Sequence, residues 1–205
     1  MKKQFQNLFM ICSVLYWMSQ ITFAQATKPE FKEGSELTYN VDFNGTKYDL
    51  VITLRKLDIR GSRQQVKMDW YYSTAPQQIG TMSMGGQAID ESYNLYYSLQ
   101  PGESRELKGN LFMIVGRPPF RKLQDGKNAS MIVSWLGKTK FVPKPQPEGS
   151  KFQLDGQDVD VIYVESEDGA QKIWILNDED FPLIMKIVSG QTLTLGAVKA
   201  PVANG

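Results

Sequence analysis

Two clusters of acidic residues are the first candidates for chemistry. Asp155, Asp158 and Asp160 lie close together, and Asp178, Glu179 and Asp180 are consecutive. Carboxylates grouped in this way can hold a hard cation such as calcium, or divide acid and base duties in a hydrolysis. Neither cluster has the alternation or the closing Glu of an EF-hand loop. Both flank expected strands, where solvated turn acids belong. A small basic cluster, Arg117, Arg121 and Lys122, stands beside Gly116 and Pro118-Pro119. It reads either as an anion-binding site at Arg117 and Arg121 or as the solvated side of a short helix over Phe120 and Leu123. Thr81-Met82-Ser83-Met84-Gly85 approaches a G-x-S-x-G nucleophile elbow, but a threonine replaces its first glycine.

The composition removes most other chemistries. The chain contains no histidine, so no serine or cysteine nucleophile can be paired with an imidazole base. Zinc, copper and non-haem iron sites built on His or Cys are excluded by the same count. The single cysteine, Cys12, lies in the apolar N-terminal run. No catalytic residue, metal ligand or cofactor is assigned.

Methionine and aromatic residues carry the remaining signal. Met68, Trp70 and Tyr72 share one expected strand face, Met82 and Met84 share another, and Trp135 and Trp174 sit on separate strands. Such side chains suit adaptable apolar pockets and equally well fill ordinary cores. In the pocket reading, Trp70, Met82, Met84, Trp135, Tyr163 and Trp174 line the ligand.

The elements that must position these residues are strands. Asn44-Gly45 favours a two-residue type I′ hairpin turn, which sets Val41 opposite Tyr48, Tyr39 opposite Leu50 and Leu37 opposite Ile52. These pairs share one face, while Asp42, Lys47, Asn40 and Asp49 share the other, so turn chemistry and face segregation agree. Asp168-Gly169 sets a second hairpin with Tyr163 opposite Trp174 and Val164 opposite Ile173. Both its faces are apolar, which calls for cover on both sides or a place where a sheet wraps around something. Further strands are expected over Val66–Tyr72, Ile79–Met84, Met131–Trp135 and Leu183–Val188, with Leu193–Leu195 returning through Ser189-Gly190-Gln191. A phase slip between Leu54 and Leu57 suggests a bulge. Pro118-Pro119 can open a short helix ending near Gly126, and Val142–Gly149 reads as an extended connector.

Lys2 and Lys3, the apolar run Leu8–Phe23 and the small residues of Thr22-Phe23-Ala24 form the pattern of a secretory signal over residues 1–24. Ala24-Gln25-Ala26 is an alternative cleavage site, and an uncleaved anchor is the other reading. The run falls short of the roughly 20 predominantly apolar residues of a membrane span. Cleavage leaves 21 basic and 22 acidic residues and no cysteine, hence no electrostatic reason for a nucleic-acid or anionic-lipid partner. The expected organisation is a signal peptide at 1–24, one β-rich domain at 25–195 and a flexible tail at 196–205. Its fold class is mainly β: a curved antiparallel sheet or half-open β-barrel with one or two short helical segments.

Three segments, Phe31–Val41, Val115–Leu123 and Trp174–Asp178 with Phe181–Ile184, resemble the signatures of a bacterial periplasmic family of unassigned function with Bacteroidetes-type relatives. Its style is similar to the half-open barrels of lipoprotein carriers, in which a curved sheet wraps an apolar concavity. The double proline departs from the continuous helix start expected in the central segment. The expected function is an exported, soluble, non-catalytic periplasmic protein binding a lipid or acyl chain. The alternatives are an envelope structural or protein-interaction module with a filled core, and a carboxylate-dependent hydrolase.

Overall fold

A computed structural model describes residues 26–59, 64–96, 99–134, 137–149 and 151–201. Cys12, Trp135 and the expected signal segment 1–24 lie outside the described residues. Asn44 (φ 53°) and Gly45 (φ 82°) both take the left-handed conformation that a type I′ turn needs. Strands β1 (Glu36–Phe43) and β2 (Thr46–Asp58) pair across it in the expected register. The phase slip is real: β2 meets β3 (Gln65–Tyr72) with Leu54 opposite Met68 and Lys56 opposite Lys67, leaving Arg55 as the extra residue. β4 (Gly80–Gly85) completes this antiparallel run and leads into α1 (Gly86–Glu91).

Two short strands, β5 (Asn94–Leu95) and β6 (Arg105–Leu107), become the outermost strands of the sheet. Pro118-Pro119 open α2 (Arg117–Gln124), where their missing N–H groups cost nothing. After it come β7 (Ala129–Val133), β8 (Gly137–Pro143) and the small hairpin β9 (Gln153–Leu154) and β10 (Gln157–Asp158). β11 (Val161–Ser166), β12 (Lys172–Leu176), β13 (Ile184–Val188) and β14 (Gln191–Lys199) follow. The main sheet has 12 strands in the order β5-β7-β8-β11-β12-β13-β14-β1-β2-β3-β4-β6. It is curved and not closed into a barrel. Its two outermost pairings, β5 with β7 and β4 with β6, are parallel, and the others are antiparallel.

The last strand extends further than the sequence suggests. β14 runs on to Lys199, because a bulge at Gly196 lets Ala197 and Val198 pair with Thr38 and Leu37. A side-chain carbon at Gly196 would sit 2.3 Å from the Asn40 carboxamide oxygen, so a larger residue there would have to push that exposed side chain aside. Residues 196–199, expected to lie in a flexible tail, therefore belong to this strand. At the other end, the Thr27 N–H donates to the Asp158 carbonyl at 2.7 Å and Lys28 pairs with Asp178 at 2.9 Å. The Phe31 ring stands edge-on to Phe181 at 5.4 Å.

Because residues directly opposite on neighbouring strands face the same way, the registers define two faces. Leu37, Tyr39, Ile52, Met68, Trp70, Met82, Leu193, Ile187, Ile173 and Val164 line the inner face and are buried. Each such side chain stabilises the fold by about 1.5–3 kcal/mol relative to leaving it in water. The β11–β12 hairpin is covered on both sides, as its two apolar faces require. α2 packs against β7, β8 and β11, while β9 packs by β14 and Lys144 donates its N–H to the Tyr163 carbonyl on the way to that hairpin.

Candidate ligand-binding site

The inner face is closed over by chain that belongs to no strand or helix. Leu111, Phe112, Met113, Ile114 and Val115 run as a strap through the interior, each no more than 2% exposed. Such a burial leaves the backbone no water, so every polar group needs a partner. On one side Leu111 donates to the Asn94 carbonyl at 2.9 Å, and its own carbonyl accepts from Tyr96 at 2.7 Å. On the other, Val115 donates to the Pro182 carbonyl at 3.0 Å and Ile184 donates to the Met113 carbonyl at 2.8 Å. The Ile184 carbonyl accepts from the Tyr39 hydroxyl at 2.8 Å, which ties the strap's partner to the floor of the sheet.

Glycines at two positions permit these approaches. A side-chain carbon on Gly116 would lie 2.1 Å from the Ser92 carbonyl oxygen, and one on Gly80 would lie 2.0 Å from the Glu103 carbonyl oxygen. That Glu103 carbonyl also receives the Trp70 indole N–H at 3.2 Å. Ser92 knots the strap's start to the β5 edge: its hydroxyl donates to the Gly109 carbonyl at 2.8 Å and accepts from the Asn94 N–H at 2.8 Å.

The strap is weakest at its centre. Met113 adopts φ 60° although it is bulky and fully buried, a conformation costing about 1–2 kcal/mol for a non-glycine residue. The neighbouring Phe112 N–H donates to the Met84 thioether sulfur at 3.1 Å, a weak acceptor for a buried amide. Both residues line a cavity of about 30 Å³, which is near one water's share of liquid volume. Val41, Tyr48, Leu50, Tyr72, Leu99, Gln191 and Leu193 complete its wall. The cavity opens at the sheet end that carries the Asn44-Gly45 and Ser189-Gly190 turns. Tyr48 and Tyr72 stack edge-on at 5.3 Å, and Tyr72 does the same with Trp70 at 5.4 Å. Burial, with smaller contributions from Tyr48 and Glu103, pushes the Tyr72 hydroxyl pKa up to about 12. Phe43, 49% exposed, stands one pair further out on the same face, opposite Gln191.

The side chains expected to line one pocket divide between the two faces of the sheet. Trp70, Met82 and Met84 are fully buried on the inner face of β3 and β4. Tyr163 and Trp174 are opposite one another on the outer face, in the row that continues through Lys186 and Thr194. There the rings meet at 4.6 Å, Lys186 lies 4.9 Å from the Trp174 ring, and the Tyr163 hydroxyl donates to Glu165. Trp135 lies outside the described residues.

The two arginines do not converge either. Arg117 bonds Asp90 of α1 and donates to the Ile59 carbonyl at 2.7 Å, while Arg121 pairs with Glu179 at 2.5 Å. Asp155 and Gly156 form the tight turn of the β9–β10 hairpin. Asp158 accepts from Gln153 and Lys151, and Asp160 from Asn177. Among the described residues no group of three or more acids or cysteines is placed to hold a metal ion. No helix among them is long and apolar enough to cross a membrane.

Larger hollows lie on the surface. One of about 720 Å³ lies between the sheet's outermost strands, lined by Glu91, Asn94, Glu106, Lys108 and the exposed Ile132. Another, of about 640 Å³, lies beside Val41, Tyr48 and Thr192, and one of about 430 Å³ lies under the N-terminal segment between Phe31, Ile59 and Phe181. No family model matches this chain, and no curated protein does. The strap and the Tyr48–Tyr72 mouth are absent from the sequence-based expectations. Their signal is five consecutive apolar residues, Leu111–Val115, bracketed by Gly109-Asn110 and Gly116-Arg117-Pro118.

Proposed function

We propose that this chain is an exported, non-catalytic binding protein for an apolar ligand such as a lipid, held on the inner face of the curved sheet. The observation that supports it most is the strap: a continuous apolar concavity is covered by irregular chain with strain at its centre, not by closure of the sheet. Burying an acyl chain yields about 0.8 kcal/mol per CH₂, so binding requires no catalytic group or cofactor. Export through residues 1–24 to the periplasm belongs to the same proposal, since a lipid carrier acts where lipids cross water. The filled interior, with about 30 Å³ left, favours a second reading as an envelope protein-interaction module. Native mass spectrometry with organic extraction, on the exported chain purified without detergent, separates them. A stoichiometric lipid adduct lost on denaturation supports the carrier, and a bare mass together with a co-purifying envelope protein supports the module.

A further inference from the structure

We propose that the mouth lined by Tyr48, Tyr72, Leu99 and Gln191 admits one unbranched acyl chain with an uncharged polar end, which displaces the Phe112–Met113 corner of the strap. The inference rests on the apolar-ligand reading and names the site and the ligand class within it.

Three independent observations meet at this end of the sheet. The small cavity lies there, and its inner wall is made of Val41, Leu50, Leu193 and the two strap residues. Those two strap residues are also the ones whose backbone is least well held, Met113 by its left-handed φ and Phe112 by its thioether acceptor. Moving the corner therefore relieves strain and forfeits a weak hydrogen bond. The Met113 carbonyl bond from Ile184 is the full-strength contact that must yield. On either side the strap stays anchored, at Leu111 through Asn94 and at Val115 through Pro182.

The same geometry selects the ligand. The space that opens is the width of the Phe112 and Met113 side chains, so one chain fits, whereas a sterol or paired chains would have to part the strands. No charged residue lines the cavity. The polar groups at its rim are two phenols and one carboxamide, which match a hydroxyl or ester head and offer no counter-ion to a carboxylate or phosphate. The exposed Phe43 extends the apolar lip along which the chain can slide in.

The test is a titration of the exported chain, labelled at its methionine methyl carbons, with monopalmitoylglycerol, read by NMR. Saturable movement of the Met113 and Met84 methyl signals is expected, since Met84 holds the Phe112 amide. Leu99→Asp, at a half-buried rim position, is expected to weaken binding about tenfold or more by placing a carboxylate against the chain. Ile132→Asp, at an exposed position in the outer hollow, is expected to leave binding unchanged. Saturable binding that leaves Met113 and Met84 unmoved, or that Ile132→Asp abolishes and Leu99→Asp does not, would overturn the mouth while the apolar-ligand reading stands. No binding of monopalmitoylglycerol by a chain whose native mass carries another lipid would overturn the ligand class. Should the chain bind no lipid in either experiment, the parent reading fails, and this inference with it.

Discussion

Gly116 and Gly85 offer a test of the strap in which two physical arguments oppose each other. Both are helix N-caps with extended backbone, at φ −65° and φ −90°, that any residue can adopt. Replacing either with alanine removes unfolded-state entropy worth about 0.4–1 kcal/mol, offset by the poorer capping of alanine. These contributions are common to the two sites. The surroundings are not. Around Gly85 an added carbon meets nothing within 4 Å, while at Gly116 it would lie 2.1 Å from the Ser92 carbonyl oxygen and 3.3 Å from Leu111. Relieving that clash requires the strap end or the Ser92 turn to move by about an ångström, which overpacking data put at roughly 1–3 kcal/mol. For a chain of this size each kcal/mol is about 2–4 °C of melting temperature. Gly116→Ala is thus expected to melt about 2–12 °C below Gly85→Ala, with Gly85→Ala close to the parent. Thermal denaturation of the three proteins by circular dichroism measures it. Equal melting temperatures for the two variants would refute the close approach of the strap to the β5 edge.

Other consequences follow from single contacts. Tyr39→Phe deletes the buried hydrogen bond to the Ile184 carbonyl and is expected to cost about 1–2 kcal/mol in urea unfolding; a loss below a few tenths would place that hydroxyl elsewhere. In alkaline titration followed by tyrosinate absorbance, Tyr72→Phe should remove a step near pH 12, above the ordinary phenol value of about 10; loss of a step at the ordinary value would contradict the burial of that side chain. The Glu165 carboxyl is held below its ordinary value first by Lys144, at 2.5 Å, and then by Tyr163. A depressed carboxyl contributes stability that is present above the unfolded value of about 4.3 and is lost as pH falls through the folded one. Glu165→Gln is therefore expected to be less stable than the parent at neutral pH, with the gap narrowing below about pH 4. A gap that stays constant down to pH 3 would show that Glu165 is not paired.

What the sequence discloses follows the range of the interactions involved. The two hairpins at Asn44-Gly45 and Asp168-Gly169 are legible because turn residues and face segregation are both local, and every expected pair is found. The bulge at Arg55 and the proline-opened helix are legible for the same reason. Asp155-Gly156 makes the same kind of turn, yet its flanking strands are two residues each, too short to show alternation, so its acids read as a cluster. β8 alternates among lysines and threonine and ends at Pro143, which resembles a connector. The site is the least legible part. Whether Trp174 shares a face with Trp70 depends on a chain of pairings through six strands, from β12 to β3. The strap has no period to detect, since its burial comes from everything around it. Sequence patterns register faces of elements, and this interior is closed by a segment that is not one.

Hydrogen exchange by mass spectrometry, on the protein with and without saturating monopalmitoylglycerol, tests the central claim most directly. If an apolar chain enters by displacing the strap, the amides of Phe112 and Met113 lose protection when the ligand binds. Those of β1, β2 and β14 around the mouth gain it. A ligand that binds saturably while leaving Leu111–Val115 as protected as before, with changes confined to the outer face or to β6, would contradict the displaceable strap on which the proposed site depends.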